Sequence, residues 1–317
     1  MSCFFYIIPH KGRSMSKKDF LSILDLTPEE IRSVIQKAKN FKNGYKSRPL
    51  EGKVIALLFE KPSLRTRVSF EVGIRELGGE CIYLSQDDVG LGKREPVSDV
   101  AQVLDRWVDG IVARVFSHNS LVILAENSSI PIINALSDIE HPCQAIGDLL
   151  TMLEKKPNYP NIRAAFVGDG NNVASSLSLG CASVGADFVL TSPESYKIPP
   201  AIWEQAIRIS KISGCNIEWF DIPKQGVNNA DIVYTDVWTS MGQEHENKKR
   251  LKAFASFQVN NELMSFAKTD AILMHDMPAH EGEEIDKGMI DSARSVVFDQ
   301  AENRLHGQKA IMDQLFS

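Results

Sequence analysis

Ser63-Leu64-Arg65-Thr66-Arg67 places two hydroxyls and two arginines within five residues. A guanidinium stays charged at any working pH and grips phosphate or carboxylate through paired N–H bonds. The run before it, Val54-Ile55-Ala56-Leu57-Leu58-Phe59, reads as a buried strand. Val68, Val72 and Leu77 then fall on one face of a helix from about Arg65 to Leu77. Strand, short polar loop and helix start point unpaired N–H groups and the helix dipole at the loop, which suits an anion. The bland alternative is a capped surface helix with solvated arginines.

Other loops beyond apolar runs carry further chemistry. His141-Pro142-Cys143-Gln144 opens a helix, and a neutral His or a Gln amide there can donate to a polarised carbonyl; simple capping with a helix-start Pro is the other reading. Arg114 lies on a strand expected from Asp109 to Phe116. Gly168-x-Gly170 invites a dinucleotide, hence a nicotinamide-dependent oxidoreductase. However, the third fingerprint position is Val173, and the next strand ends in Thr191-Ser192 rather than an acid. A tight turn displaying Asn171 and Asn172 fits better, with Asn172 a candidate ligand for a carboxylate or ammonium. Asp236, ahead of Ser240-Met241-Gly242, could pair with an ammonium or form an Asx turn. His275, Asp276 and His280 lack a second cluster of ligands, so no metal is expected. Arg304 could return to an anion or cap a surface helix.

These residues need a scaffold of alternating strands and helices. Thr27-Pro28-Glu29-Glu30 is a capping box opening a helix through Ala38. Strands are expected at 54–59, 80–85, 109–116, 130–134, 163–167, 188–191, 217–220, 232–234, 271–274 and, last, Val296–Phe298, with a final helix from Ala301 to Phe316. The alternation implies α/β architecture: two doubly wound parallel-sheet domains. Lys155-Lys156-Pro157-Asn158-Tyr159-Pro160 breaks the pattern, giving a first domain at 15–152 and a second at 153–300. Residues 1–14 read as an extension, too short in its apolar part for a signal core. At 317 residues the chain suits two such domains. Its net charge of −6 argues against a general nucleic-acid binder. No apolar run reaches the roughly 18–20 residues of a membrane span. Five scattered cysteines without Cys-x-x-Cys fit a reducing cytoplasm.

Taken together, the loops resemble the transcarbamylase family, nearest its ornithine branch, from about Phe20 to the C-terminus. Phe59-Glu60-Lys61-Pro62-Ser63-Leu64-Arg65-Thr66-Arg67 is similar to its carbamoyl-phosphate loop and His141-Pro142-x-Gln144 to its carbonyl-binding motif. Asp236-x-x-x-Ser240-Met241-Gly242 is similar to the ornithine-branch signature. The resemblance implies that the C-terminal helix 301–317 returns to the first domain, that no cofactor is needed, and that the assembly is a homotrimer or a multiple of one. It implies that Ser63, the Leu64 backbone, Arg65 and Thr66 hold phosphate. Arg114, His141 and Gln144 would hold the carbamoyl end, Arg304 would reach the ligand from the last helix, and Asn172, Asp236, Ser240 and Met241 would bind the amino-acid head of L-ornithine. Arg67 is expected to brace the loop or to pair with an acid such as Glu71, four residues on.

Three positions depart from the family. Leu64 replaces a Thr, and Gly90 stands where a Gln reaches a neighbouring subunit, a role open to Lys93 or Arg94. His275-Asp276-Met277-Pro278 replaces His-Cys-Leu-Pro. Asp276 is expected to pair with the δ-ammonium and accept its proton, raising the pH optimum, while the Met277 carbonyl aligns the amine. The rival readings are transfer to a related amine such as putrescine or an N-acylornithine, and a non-catalytic phosphate-binding paralogue.

Overall fold

A computed structural model describes residues 18–240 and 242–317. The extension expected at 1–14 and Met241 lie outside these residues. Helix α1 (Pro28–Lys42) starts on the capping box: Thr27 Oγ1 accepts from Glu30 N–H, and the Glu30 carboxylate accepts from Thr27 N–H. The first sheet follows, built from β1 (Val54–Phe59), β2 (Glu80–Ser85), β3 (Gly110–Arg114) and β4 (Ile132–Leu136). Its order is β2-β1-β3-β4, all parallel. The crossovers are α2 (Leu64–Glu76), then α3 (Gln86–Val89) with α4 (Val97–Leu104), then α5 (His118–Glu126). The polar stretch after β2 thus begins with a helical turn, because Ser85 and Asp88 form a capping box.

Helix α6 (Pro142–Lys155) leads into the second sheet. There β5 (Arg163–Val167), α7 (Asn172–Val184), β6 (Asp187–Thr191), α8 (Pro200–Ser213), β7 (Ile217–Phe220) and α9 (Pro223–Val227) follow in turn. The half is completed by β8 (Ile232–Thr235), α10 (Asn247–Phe254), α11 (Asn261–Met264) and β9 (Ile272–His275). The order is β7-β6-β5-β8-β9, again all parallel. The fold is therefore two parallel-sheet α/β domains. In each sheet the direction of winding reverses beside the first strand, β1 or β5, and ligands collect beyond the carboxyl ends at such points.

The chain ends in α12 (Val297–Phe316), which packs on α1, α2 and α6 of the first domain. Lys37–Asp313 and Lys309–Glu76 ion pairs tie it there. The expected strand at Val296–Phe298 is not formed, and the helix begins at Val297 rather than Ala301. Three apolar residues cannot distinguish a strand from a helix start. Here Val297 is buried while Phe298 faces out, and Ser295 makes only an isolated bridge to Leu273. Phe59, Ile146, Leu149, Phe166 and Tyr234 belong to one continuous buried cluster, so a single core runs from one sheet to the other. Among the described residues no helix is long and apolar enough to cross a membrane.

Candidate active site

At the end of β1, Ser63 caps α2, its hydroxyl accepting from Thr66 N–H at 3.3 Å. Leu64 and Arg65 occupy the first helical turn, where backbone N–H groups have no partner within the helix. The Leu64 side chain is 74% exposed, so backbone is what it offers the loop. Arg67 turns outward, pairing with Glu71 at 2.8 Å and lying 3.8 Å over the Tyr83 ring. Register explains the next cation: Arg114 sits opposite Phe59 across β1 and β3, beside the loop. Arg304 arrives from α12. Both Arg114 and Arg304 donate to the buried Thr66 hydroxyl, so Thr66 orders the arginines. Arg304 reaches this far because Gly147 lets α12 sit against α6; a Cβ at Gly147 would lie 3.0 Å from Arg304 Cα.

Burial and the neighbouring Arg304 and Arg65 push the Arg114 guanidinium down to about 10, against the pull of Asp276. Among the described residues no ion pair involves Arg65, Arg114 or Arg304, and the pull of Asp276 on Arg114 and Arg304 is the weaker one of a nearby charge. His141 caps the start of α6 and is nearly fully buried. Burial, then Arg304 and Arg114, hold it well below its ordinary pKa, so it is neutral. Its Nε2 meets the Arg304 guanidinium at 3.3 Å as an acceptor, which leaves the proton on Nδ1. Gln144 uses its nitrogen on Asp148 at 2.8 Å. Its free group is the oxygen Oε1, an acceptor, so of the two carbonyl donors that the sequence offered, His or Gln, the free N–H is that of His141. Arg114 Nε, Arg304 Nε, His141 Nδ1, Gln144 Oε1 and Asp276 Oδ1 are all buried without a hydrogen-bond partner. Buried polar atoms are costly unless bonded, so these five define what a ligand must supply.

Acids gather on the opposite side. Thr235 of β8 pairs with His275 of β9, so the next residues, Asp236 and Asp276, leave the sheet side by side. Asp236 accepts from Asn171 Nδ2 and Val237 N, both at 2.7 Å. Burial raises the Asp276 carboxyl to about 6, and burial plus Asp276 raises Asp236 well above the carboxylate range. Donor atoms of Asp236, His275 and Asp276 lie within 4.8 Å of one another. Yet both His275 nitrogens are engaged: Nδ1 accepts from Met277 N at 2.9 Å, and Nε2 donates to Glu284 at 3.1 Å. No lone pair is left there for a cation. The Met277 backbone it holds has φ of 62°, a left-handed conformation unusual for a side chain of this size.

A cleft of about 960 Å³ joins the two ends, lined by Ser63, Arg65, Arg114, His141, Asp236 and Asp276 among others. Asn172, Ser240, Met277 and Arg304 also line it. Gln144 faces an adjoining hollow of about 390 Å³ whose wall shares Leu64, Arg65, Asp276 and Arg304 with the cleft. Asn172 donates to the Ser137 carbonyl at 2.6 Å; it is Asn171 that holds Asp236, a role not expected from sequence. Asp148, Tyr234, Gln300 and Glu284 were also missed. Asp148, four residues after Gln144 on one helix, could have been found from spacing. Tyr234 and Gln300 come from other elements and give no local signal. The glycine turn has a structural explanation: a Cβ at Gly170 would lie 2.2 Å from Ile198 N, so a neighbouring backbone fills the place a pyrophosphate would need.

Two winding points facing one cleft, arginines on one side and acids on the other, are the architecture of a transferase joining an anionic donor to an amine. The chain belongs to the aspartate/ornithine carbamoyltransferase family. That family's carbamoyl-P binding domain matches residues 18–154 and its Asp/Orn binding domain residues 160–315. The relatives are from the ornithine side. Ornithine carbamoyltransferase of Thermococcus kodakarensis is 49% identical over 303 residues, spanning 94% of this chain and 96% of that protein. The anabolic enzyme of Pyrococcus furiosus is 46% identical over the same shares. A solved Pyrococcus furiosus structure superposes with a TM-score of 0.91 at 46% identity, covering 96% of this chain and 99% of the other. The anabolic enzyme of Campylobacter jejuni gives 0.90 at 39% identity, covering 94% and 98%.

Proposed function

We propose that this chain transfers the carbamoyl group of carbamoyl phosphate to the δ-amine of L-ornithine, giving L-citrulline and inorganic phosphate. The observation that carries this reading is the pairing, across one cleft, of a buried arginine cluster with the adjacent Asp236 and Asp276. Residues 15–152 with the C-terminal helix form the carbamoyl-phosphate domain, and 153–300 the ornithine domain. Ser63, the Leu64 and Arg65 N–H groups and the Arg65 side chain hold phosphate, with Thr66 fixing Arg114 and Arg304 behind them. Arg114 and His141 Nδ1–H stabilise charge on the carbonyl oxygen, and Gln144 Oε1 accepts from the carbamoyl NH2. Asp236, Asn172, Ser240 and Met241 take the amino-acid head.

The reaction needs no enzyme nucleophile. The δ-ammonium gives one proton to the Asp276 carboxylate, and the freed lone pair, aligned by the Met277 carbonyl, attacks the carbamoyl carbon. As the new C–N bond forms, the C–O bond to phosphate breaks. The second proton on the attacking nitrogen leaves with the phosphate, and Asp276 returns its proton to solvent after product release. Holding both reactants in line accounts for much of the rate.

The proposed assembly is a homotrimer or a multiple of one; exposed apolar Leu64, Ile82 and Trp107 are surface such an assembly would cover. A reducing cytoplasm is the proposed compartment, in keeping with free Cys81, Cys143, Cys181 and Cys215. The purified protein, given carbamoyl phosphate and ornithine, is expected to release citrulline and phosphate one for one. Carbamoyl phosphate binding without citrulline would instead mark a non-catalytic paralogue.

A further inference from the structure

Asp148 is fully buried in α6 and has no part in the roles above. Its Oδ1 accepts from two side-chain amides, Gln144 Nε2 at 2.8 Å and Gln300 Nε2 at 2.7 Å. Its Oδ2 accepts from the Tyr234 hydroxyl at 3.1 Å. An amide that turns its nitrogen to Asp148 must turn its oxygen away. For Gln300 that oxygen accepts the His275 backbone N–H at 2.9 Å, at the strand end carrying Asp276 and Met277. For Gln144 it is the unpartnered Oε1, in the hollow shared with Arg65, Asp276 and Arg304. One carboxylate oxygen thus governs an amide at each end of the site: Gln144 at the carbamoyl end and, through His275, Gln300 at the amine end.

We propose that Asp148 is a positioning residue that fixes both amides, so that the site presents an acceptor to the donor substrate and selects a carbamoyl group over an acyl group of the same shape. This deepens the carbamoyl-transfer reading and rests on it. Acetyl phosphate is the informative rival, because a methyl group stands where carbamoyl phosphate has NH2 and cannot donate to Gln144. A site that hydrogen-bonds a substrate NH rejects the analogue lacking it, because its own polar group is left unpaired. Without Asp148 the Gln144 amide is free to turn, and the preference weakens.

The orientation also survives protonation. Burial raises the Asp148 carboxyl to about 7, against the lowering effect of hydrogen bonds from Gln144, Gln300 and Tyr234 and the charge of Arg304. A bound proton belongs on Oδ2, where the Tyr234 hydroxyl can rotate to accept it, and Oδ1 keeps both amides. Asparagine can reproduce this arrangement, its oxygen toward the amides and its nitrogen toward Tyr234.

Calorimetric binding of carbamoyl phosphate, acetyl phosphate and inorganic phosphate to the wild type and to Asp148→Asn, Asp148→Ser and Asp148→Leu tests the proposal. Asp148→Asn should keep the carbamoyl-over-acetyl preference within about threefold, and the Ser and Leu variants should lose about tenfold or more, the worth of one hydrogen bond. Inorganic phosphate should bind every variant at least as tightly as the wild type, since Asp148 makes no hydrogen bond to the arginines and its negative charge only opposes theirs. A folded Ser or Leu variant with the full preference would overturn the role of Asp148, as would an Asn variant that loses it. The Asn result decides alone if the other two fail to fold. A wild type that binds neither acyl phosphate sinks the carbamoyl-transfer reading itself, whereas a wild type that prefers carbamoyl phosphate alongside unaltered variants sinks only the positioning role.

Discussion

The arginine end and the acid end of the cleft are both assembled from strand ends beside helix starts, but they hold charge differently. Arg114 and Arg304 are buried against each other and against Thr66, and even with Arg114 lowered to about 10 the cluster stays cationic at neutral pH. Asp236 is buried as closely and Asp276 only a little less, and this burial moves Asp276 to about 6, within reach of a working pH. A departing phosphate needs a charge that never changes; an attacking ammonium needs one that can take a proton. The same low-dielectric setting serves both because guanidinium and carboxylate start so far apart in pKa.

The largest effect should come from removing permanent charge. Arg65→Ala is expected to lower kcat by about 10²–10³-fold, the cost of losing one preorganised charge donor, in a steady-state citrulline assay. A loss confined to KM would mean that Arg65 binds the ground state and transition state equally.

Asp276 sharpens the comparison from the other side. Asp276→Asn should lower kcat by about 10²-fold. The wild-type rate should fall as pH drops through 6, where Asp276 protonates and can no longer accept; that limb should vanish in Asp276→Asn. The alkaline rise in rate should also move to lower pH in this variant, because the ammonium loses the anion that held its proton. Unchanged activity and pH profile in both Asp276→Asn and Asp276→Cys would remove this residue from the chemistry.

Gly147→Ala probes how the arginine end is built. Its Cβ would sit 3.0–3.1 Å from the Arg304 backbone, so α12 must shift. Overpacking of this kind costs about 1–3 kcal/mol, seen as a lower Tm, and kcat should fall as Arg304 withdraws from His141. The smallest effect is expected for Arg67→Ala. Its partners are Glu71 and Tyr83 at the surface, and activity should stay within about threefold of wild type, as for other exposed pairs. A loss matching Arg65→Ala would place Arg67 on the phosphate.

Much of this site was legible because its residues follow apolar strands, whose period and ends show in sequence. Ser63-Leu64-Arg65-Thr66-Arg67 could be placed after β1 and Asp276 after β9, and Arg67 could be assigned to Glu71 by spacing alone. The start of α12 was not legible, since Val296-Val297-Phe298 fits a strand as well as a helix. Nor was the direction of the Gln144 amide, which depends on Asp148 together with Gln300 and Tyr234, residues brought from distant segments. Local pattern reveals which side chains reach the cleft; only packing reveals which atom each presents.

The comparison between the two ends is tested most directly by the acceptor. Phosphate release from carbamoyl phosphate, followed side by side with ornithine, putrescine, N-acetylornithine and aspartate, measures what the acid end selects. The account predicts rapid release with ornithine, matched by citrulline, and rates lower by about 10²-fold or more with the others, since each lacks a charged group the site pairs or carries one it repels. Faster release with putrescine or aspartate than with ornithine would contradict it.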